Sequence, residues 1–329
     1  MTYPRKRSQK NVQQNVQQNA QKNSQGGTPS KQVPLRISVC QMRSSNDPWE
    51  NLLFVNDRVN EATQAGTQAV FFPENVFYRG PKNATGFSRS DISLMLNSRT
   101  QTLEPLNEFS RVLSEMASYW KIGVSLGSVF ESTGLAALPF NSHFWMDPSG
   151  SFTSYRKVHL FDYQSPTGAS YLESNEVDYG VESVSVALQG HALGLSICYD
   201  LRFPELYRSL VLKKGAQMLA IPAAFTRETG VSHWHALLKA RSIENLSFVI
   251  AAAQWGSHVN SAGQELHCFG HSAVYDPWGN LLCEAPLAGD ELLIVDLDFE
   301  NQEVLRKRMP ALQNARFFQS MESDPSQTD

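Results

Sequence analysis

Three side chains of complementary chemistry stand at the predicted ends of separate β-strands: the carboxylate of Glu74, the ammonium of Lys157 and the thiol of Cys198. Residues 192–197 form a short apolar run that predicts a buried strand, and Pro204 begins a segment with helical spacing. Cys198 is therefore expected between a strand and a helix. Free backbone N–H groups at such a position lower the pKa of a thiol, so we expect a reactive thiolate.

Together, these groups suit nucleophilic attack on a carbonyl or nitrile carbon. Glu74 is expected to accept the thiol proton as general base, and Cys198 to attack the carbon. Lys157 and the backbone N–H of Tyr199 are expected to stabilise the resulting oxyanion. Each residue alone has an ordinary structural explanation, because free cysteines are commonly buried and acids and lysines are commonly solvated. Only the combination favours catalysis.

The elements that must hold these residues alternate between strands and helices at first and pair as hairpins later. Residues 35–42 and 67–74 predict strands on either side of a helix, and residues 102–120 predict a second helix. Another helix is predicted at 233–246, and two hairpins at 141–160 and 269–285 have DPSG and DPWG turns. This order predicts mixed sheets covered by helices.

The stretches around the three residues resemble the motifs of the nitrilase superfamily of carbon-nitrogen hydrolases. They are FFPE around Glu74, YRKVHLFD around Lys157 and ICYDLRFPEL around Cys198. The resemblance covers residues 35–318. It implies an α/β fold built as a four-layer α-β-β-α sandwich, dimerisation through helices, and hydrolysis without a cofactor. Within the superfamily, PAAFTRETG, FVIAAAQWGSH and GHSAVYDPWGN are most similar to the deaminated glutathione amidase branch.

The resemblance also implies further site residues. Glu173, in YLES, matches a second glutamate that assists the superfamily's site. Four residues are expected at the pocket rim: Arg202, Phe203, Phe225 and Thr226. Arg202 suits a substrate carboxylate, although a structural pair with Asp200 or Glu205 is an equal alternative. The chain departs from the family pattern at one position. After His233 and Trp234 it has His235, where relatives commonly have an acid. It leaves the substrate preference open.

These motifs together predict an amidase that cleaves a small α-keto acid amide through a cysteine thioester. The resemblance implies deaminated glutathione as substrate and metabolite repair as the role. An ω-amidase or a carbamoylase of the same superfamily has the same three groups and differs only in the pocket. From another class, the protein could be a non-catalytic scaffold that interacts through its Gln/Asn-rich N-terminus.

Composition favours a small-molecule substrate over a nucleic acid or a membrane. The 329 residues have a formal net charge of -4 and are 41% hydrophobic. No apolar run approaches the roughly 18 residues that a membrane span requires. Four scattered cysteines indicate a reducing compartment, so a cytoplasmic location is expected. Residues 1–33 predict a disordered polar tail, 34–318 a single hydrolase domain and 319–329 a flexible tail.

A metal site and a nucleotide cofactor are both weakly indicated. The histidines and cysteine that could form a zinc site are His233, His235, His267, Cys268 and His271. Their spacing matches no paired zinc motif, so we expect no metal and interpret them as core or rim residues. No glycine-rich phosphate loop is present, and no cofactor is expected.

Overall fold

The computed structural model describes residues 34–80, 89–164, 170–259 and 264–316. The predicted tails, residues 1–33 and 319–329, lie outside this part of the chain. Within it, the strands are β1 Leu35–Gln41, β2 Ala69–Phe71, β3 Leu96–Asn97, β4 Thr102–Leu103, β5 Gly123–Glu131, β6 Phe140–Met146, β7 Phe152–Arg156, β8 Asp162–Gln164, β9 Ser170–Leu172, β10 Ser185–Leu188, β11 His191–Leu195, β12 Met218–Ala220, β13 Phe248–Ala251, β14 Trp255–Val259, β15 Glu265–Phe269, β16 Ala273–Tyr275, β17 Leu281–Glu284 and β18 Glu291–Leu297. The α-helices are α1 Pro48–Gln64, α2 Glu108–Ala117, α3 Pro204–Lys214, α4 Arg227–Asn245 and α5 Phe299–Arg308. None of these helices is both long and apolar enough to cross a membrane.

Two six-stranded sheets form the middle of the fold. The first has the order β18-β1-β2-β5-β6-β7 and the second β10-β11-β12-β13-β16-β17. Each contains three neighbouring parallel strands, β1, β2 and β5 in one and β11, β12 and β13 in the other, flanked by antiparallel strands. In α/β sheets of this kind, binding sites form beyond the carboxyl ends of the parallel strands.

The apolar side chains divide into layers that confirm the four-layer α-β-β-α sandwich. One buried cluster joins Ile37 and Phe71 of the first sheet to Leu193 and Leu219 of the second, so it lies between the sheets. The same cluster continues to Leu210 and Trp234, on α3 and α4. A second cluster packs Leu52 and Phe109, on α1 and α2, against Val70 and Val124 on the other face of the first sheet. The parallel strands are therefore covered on both faces.

The predicted elements differ from the observed ones mainly in their bounds. The helix predicted at 102–120 begins only at Glu108, because Thr102 and Leu103 pair with β3 and Asn107 caps the helix by accepting a 2.8 Å hydrogen bond from the Ser110 backbone N–H. Helix α4 begins at Arg227, earlier than predicted. The hairpins β8–β9 and β14–β15 and helix α5 were not predicted.

Candidate active site

Cys198 lies at a sharp turn between the second sheet and its covering helix. Strand β11 ends at Leu195, and a 3-10 helix runs from Cys198 to Arg202 before α3 begins. Cys198 has a φ of 44°, in the left-handed region that non-glycine residues rarely adopt, and its N–H donates a 2.8 Å hydrogen bond to the Pro222 carbonyl. Such strain clusters at functional sites, where the surrounding structure holds the residue in place.

Lys157 follows β7 directly, and its ammonium lies between two carboxylates. The Lys157 Nζ atom is 2.9 Å from Glu74 Oε1, 2.8 Å from Glu173 Oε2 and 3.1 Å from Glu173 Oε1. The lysine is 1% exposed and Glu74 is 4% exposed. A buried ammonium needs this compensation, because an unpaired charge in the interior is very costly.

Glu74 is held by contacts from three different parts of the chain. Its Oε2 accepts a 2.9 Å hydrogen bond from the Ala224 backbone N–H, and its Oε1 accepts one of 3.2 Å from Asn141 Nδ2. The chain before Glu74 runs very close to β5 at Gly127, where a Cβ atom would lie 2.1 Å from the Phe72 carbonyl oxygen. A glycine is therefore required at 127 for this approach.

Asp200 joins the Cys198 turn to the segment around Lys157. This carboxylate is fully buried, and its Oδ2 accepts hydrogen bonds from the Ile197 N–H at 2.9 Å and the Tyr155 hydroxyl at 2.7 Å. Its Oδ1 accepts hydrogen bonds from His159 at 3.1 and 2.7 Å, the first from the backbone N–H. Among the described residues, Asp200 therefore bonds to Ile197, Tyr155 and His159, and not to Arg202, the alternative partner considered from the sequence.

The protonation state of the Cys198 thiol differs from the one predicted from the sequence. Burial raises the pKa of Cys198 well above its usual range, and the negative charge of Glu74 raises it further against the opposing effect of Lys157. The prediction of a lowered thiol pKa was wrong, because burial and a neighbouring carboxylate outweigh the backbone dipoles. Burial also raises the pKa of Glu74, but Lys157 overcomes this and holds that pKa below its ordinary value. The resting pair is thus a thiol beside a carboxylate.

The same groups open into one cavity of about 450 Å³. This volume is in the range of small-molecule sites. Its wall includes all four residues predicted as catalytic, Glu74, Lys157, Glu173 and Cys198, together with Tyr199, Arg202, Phe225 and Thr226. Further lining comes from the hairpin β14–β15, with His258, Leu266, His267 and Cys268.

Comparison with known proteins agrees with this geometry. The family model described as carbon-nitrogen hydrolase matches residues 36–307. The chain belongs to the carbon-nitrogen hydrolase family. Its resemblance to the nitrilase superfamily is confirmed, and so is its nature as a hydrolase that acts on amides.

Three relatives show how far the likeness of this carbon-nitrogen hydrolase extends. The deaminated glutathione amidase of Synechocystis sp. is 35% identical over 294 residues, which are 86% of this chain and 99% of the relative. The crystal structure of the C. elegans NitFhit protein has a TM-score of 0.71 at 33% identity, covering 87% of this chain and 66% of that one. The structure of Saccharomyces cerevisiae Nit3, a member of branch 10 of the nitrilase superfamily, has a TM-score of 0.69 at 27% identity and covers 87% and 97%.

The predicted rim residues of the hydrolase lie in different surroundings. The guanidinium carbon of Arg202 is 5.1 Å from the centre of the Phe225 ring, and its Nη1 is 3.1 Å from His233 Nδ1. Thr226 precedes α4 and lies at the cavity wall. Phe203 is not among the cavity-lining residues and stacks on His159 with 3.7 Å between ring centres. Three of the four rim residues therefore reach the cavity.

Two residues of the site were not predicted as such, Asn141 and Asp200. Asn141 donates from Nδ2 to Glu74 Oε1 and, at 2.9 Å, to Glu173 Oε1, so it holds both carboxylates on Lys157. Its own Oδ1 is buried and has no hydrogen-bond partner among the residues that the structure describes. Asn141 had no distinct signal in the sequence, because its neighbours Ser142 and His143 are polar as well. Asp200 had a stronger one, since a lone acid next to a buried strand requires donors.

The histidines considered for zinc divide between two places. His267 and Cys268 line the cavity and His233 contacts Arg202, whereas His235 and His271 meet Glu284 beneath α4. Glu284 Oε1 lies 2.5 Å from His271 Nδ1 and 3.4 Å from His235 Nε2. These ligand-type atoms lie within 4.8 Å of one another. The contacts with Glu284 give both imidazoles a partner in the protein itself.

Proposed function

We propose that this hydrolase is a deaminated glutathione amidase that uses Cys198 as nucleophile, and that it acts in metabolite repair. The observation that carries the proposal is the position of the Lys157 ammonium, which bridges Glu74 and Glu173 in the cavity that also contains Cys198. The substrate class is supported by the Synechocystis relative of that name, which this chain covers almost entirely. The cavity volume is consistent with a peptide-sized amide.

The proposed reaction begins with the thiol, which the site keeps protonated. Glu74 takes the thiol proton as the sulfur of Cys198 bonds to the amide carbon, so charge moves from the carboxylate to the amide oxygen. Lys157 and the backbone N–H of Tyr199 stabilise that oxyanion. Glu173 acts on the ammonium, since it holds Lys157 in place without contacting the thiol.

The thioester then forms and is hydrolysed. The carbon–nitrogen bond breaks as Glu74 returns the proton to the leaving nitrogen, and the amine departs. Glu74 next removes a proton from water, the hydroxyl adds to the acyl carbon, and the carbon–sulfur bond breaks with the proton returned to Cys198. For deaminated glutathione the products are the 2-oxo dicarboxylate and cysteinylglycine.

A substrate panel tests this assignment. Hydrolysis of deaminated glutathione, α-ketoglutaramate and an N-carbamoyl amino acid is measured with purified enzyme, and deaminated glutathione is expected to have the highest kcat/KM. A higher kcat/KM for α-ketoglutaramate would indicate an ω-amidase, and for the carbamoyl substrate a carbamoylase. Cys198→Ala should abolish turnover, and mass spectrometry should place an acyl adduct on Cys198 in the wild type. Cys283→Ala, on β17, is the matched control and should keep full activity.

We also propose that the enzyme is a cytoplasmic homodimer. The cysteines at 40, 198, 268 and 283 are all unpaired, which agrees with a reducing compartment. Apolar surface beside α4 supports association, because Trp278 is 53% exposed and Ile243 is 40% exposed. Light scattering on the purified protein is expected to give twice the monomer mass. The substitution Trp278→Glu is expected to lower the measured mass towards that of a monomer.

A further inference from the structure

A third cation of the active-site cavity, beside Lys157 and Arg202, has no anionic partner among the described residues. Arg79 lies shortly after Glu74, in the loop that follows β2, and it lines the cavity. Its Nη2 is 2.7 and 2.9 Å from the two ring nitrogens of His258. Its Nη1 is buried and has no hydrogen-bond partner in the part of the chain that the structure describes.

The surroundings of Arg79 do not neutralise it. Burial, with the nearby guanidinium, lowers the pKa of His258 to about 3, so this imidazole is neutral. The thiol of Cys268 is a second contact, and burial keeps its pKa above the ordinary value. An arginine cannot relieve the cost of burial by losing its proton, as a lysine or histidine can. A buried guanidinium N–H without an acceptor is therefore expected to receive one from a ligand.

Arg79 and Arg202 reach the cavity from different elements and contact different neighbours. Arg202 lies in the turn after β11, beside Phe225 and His233, whereas Arg79 contacts the hairpin β14–β15. A bridge between Thr226 and Cys268 joins the two sets of neighbours along the cavity wall. The cavity therefore has two positions at which a guanidinium can bind a carboxylate.

The proposed reaction indicates which half of the substrate Arg79 faces. Glu74 must face the leaving nitrogen, because it returns the proton there. Arg79 and Glu74 both lie in the loop that follows β2 and both line the cavity, and the charge of Arg79 contributes to the lowered pKa of Glu74. The amine half of the substrate should therefore extend towards Arg79. In deaminated glutathione this half ends in the glycine carboxylate, and the other carboxylate adjoins the keto group.

We infer that Arg79 forms a carboxylate subsite for the leaving-group half of the substrate. This inference rests on the proposed function, and it narrows the substrate class to amides that carry a second carboxylate on the amine side. A guanidinium suits that group because its N–H donors match a carboxylate in two parallel hydrogen bonds. The subsite gives a reason for preferring deaminated glutathione over short amides that lack the second carboxylate.

A cycle of two substrates and several variants tests the subsite. kcat/KM is measured for deaminated glutathione and for the same compound with its glycine carboxylate converted to a carboxamide. The wild type should prefer the acid by about tenfold to hundredfold, the size of a charge-assisted hydrogen bond. In Arg79→Gln the preference should fall to near one, and Arg79→Lys should restore part of it. Arg111→Gln removes an exposed guanidinium paired with Glu115 and should keep the wild-type preference.

The outcomes separate the inference from the function on which it rests. If the wild type hydrolyses both compounds equally, or Arg79→Gln keeps its preference, the subsite is disproved while the amidase assignment stands. The wild-type comparison remains informative even if Arg79→Gln does not fold. If the wild type hydrolyses neither compound, the proposed function fails. In that case, calorimetry measures the affinity of Cys198→Ala for the acid and for the carboxamide. Equal affinity for the two compounds, or no binding of either, would disprove the subsite.

Discussion

The substitution Glu74→Gln separates turnover from thiol reactivity, because the Glu74 carboxylate affects both in opposite directions. The proposed role as general base is worth roughly 10² to 10⁴ in rate, so the variant is expected to lose a factor of this size in kcat. The same carboxylate raises the pKa of the Cys198 thiol. A unit charge about 4 Å away contributes about 4 kcal/mol at an effective dielectric constant of about 20, so its removal strongly favours the thiolate beside Lys157.

The assay is alkylation of Cys198 by iodoacetamide across a range of pH, followed by mass spectrometry. The pH midpoint of alkylation should move to lower pH in Glu74→Gln, although this variant no longer turns over substrate. The matched control is Glu131→Gln, which neutralises a buried carboxylate that pairs with Arg156. It should leave the midpoint of Cys198 unchanged. An unchanged or higher midpoint in Glu74→Gln would refute the account of the thiol given by the site's electrostatics.

Three further outcomes are expected. Lys157→Met leaves Glu74 and Glu173 without their cation and should lower the free energy of unfolding by about 3 to 5 kcal/mol at neutral pH. The loss of stability should be smaller in acid, where the carboxylates are protonated. Urea unfolding at several pH values measures this difference. In the wild type, Lys157 holds the pKa of Glu74 below its ordinary value of 4.5. The stability contributed by the ionised Glu74 is therefore present above pH 4.5 and is lost as the pH falls through the lowered pKa. Glu74→Gln should flatten this part of the plot of stability against pH. Asn141→Leu should lower kcat more than it raises KM, because the two carboxylates lose their shared donor, and a steady-state kinetic comparison in which only KM changed would contradict this role.

The positions of the main site residues along the chain were predictable, because they depend on local sequence patterns. Apolar runs and turn residues place Glu74, Lys157 and Cys198 after strands without any knowledge of pairing. Binding sites in α/β folds form beyond strand ends, so these three groups were expected to meet, although β2 and β7 lie in one sheet and β11 in the other. The same patterns predicted mixed sheets covered by helices, whereas the four-layer arrangement was implied by the resemblance to the nitrilase superfamily.

What the sequence could not provide depends on partners that are distant along the chain. The hairpin β14–β15 contributes four residues to the cavity wall, yet its strands show little alternation and meet only through their pairing. Asn141 and Asp200 are ordinary polar residues in the sequence. Their importance comes from hydrogen bonds to residues distant along the chain: Asn141 bonds to Glu74 and Glu173, and Asp200 to Tyr155 of the other sheet. Short polar contacts of this kind leave no periodic signal.

The pKa of Cys198 shows why a residue's position in an element does not determine its chemistry. The sequence places the thiol before a helix, where dipoles favour the thiolate, but those dipoles are partial charges. In the structure the thiol is buried beside the full charge of Glu74, and burial penalises a second anion. A thiolate formed in advance would compete with Glu74 for Lys157. In the proposed reaction, a protonated thiol lets the single negative charge remain on Glu74 until substrate arrives and then move to the amide oxygen. The raised pKa of Cys198 would therefore allow Lys157 to bind first the resting carboxylate and then the oxyanion.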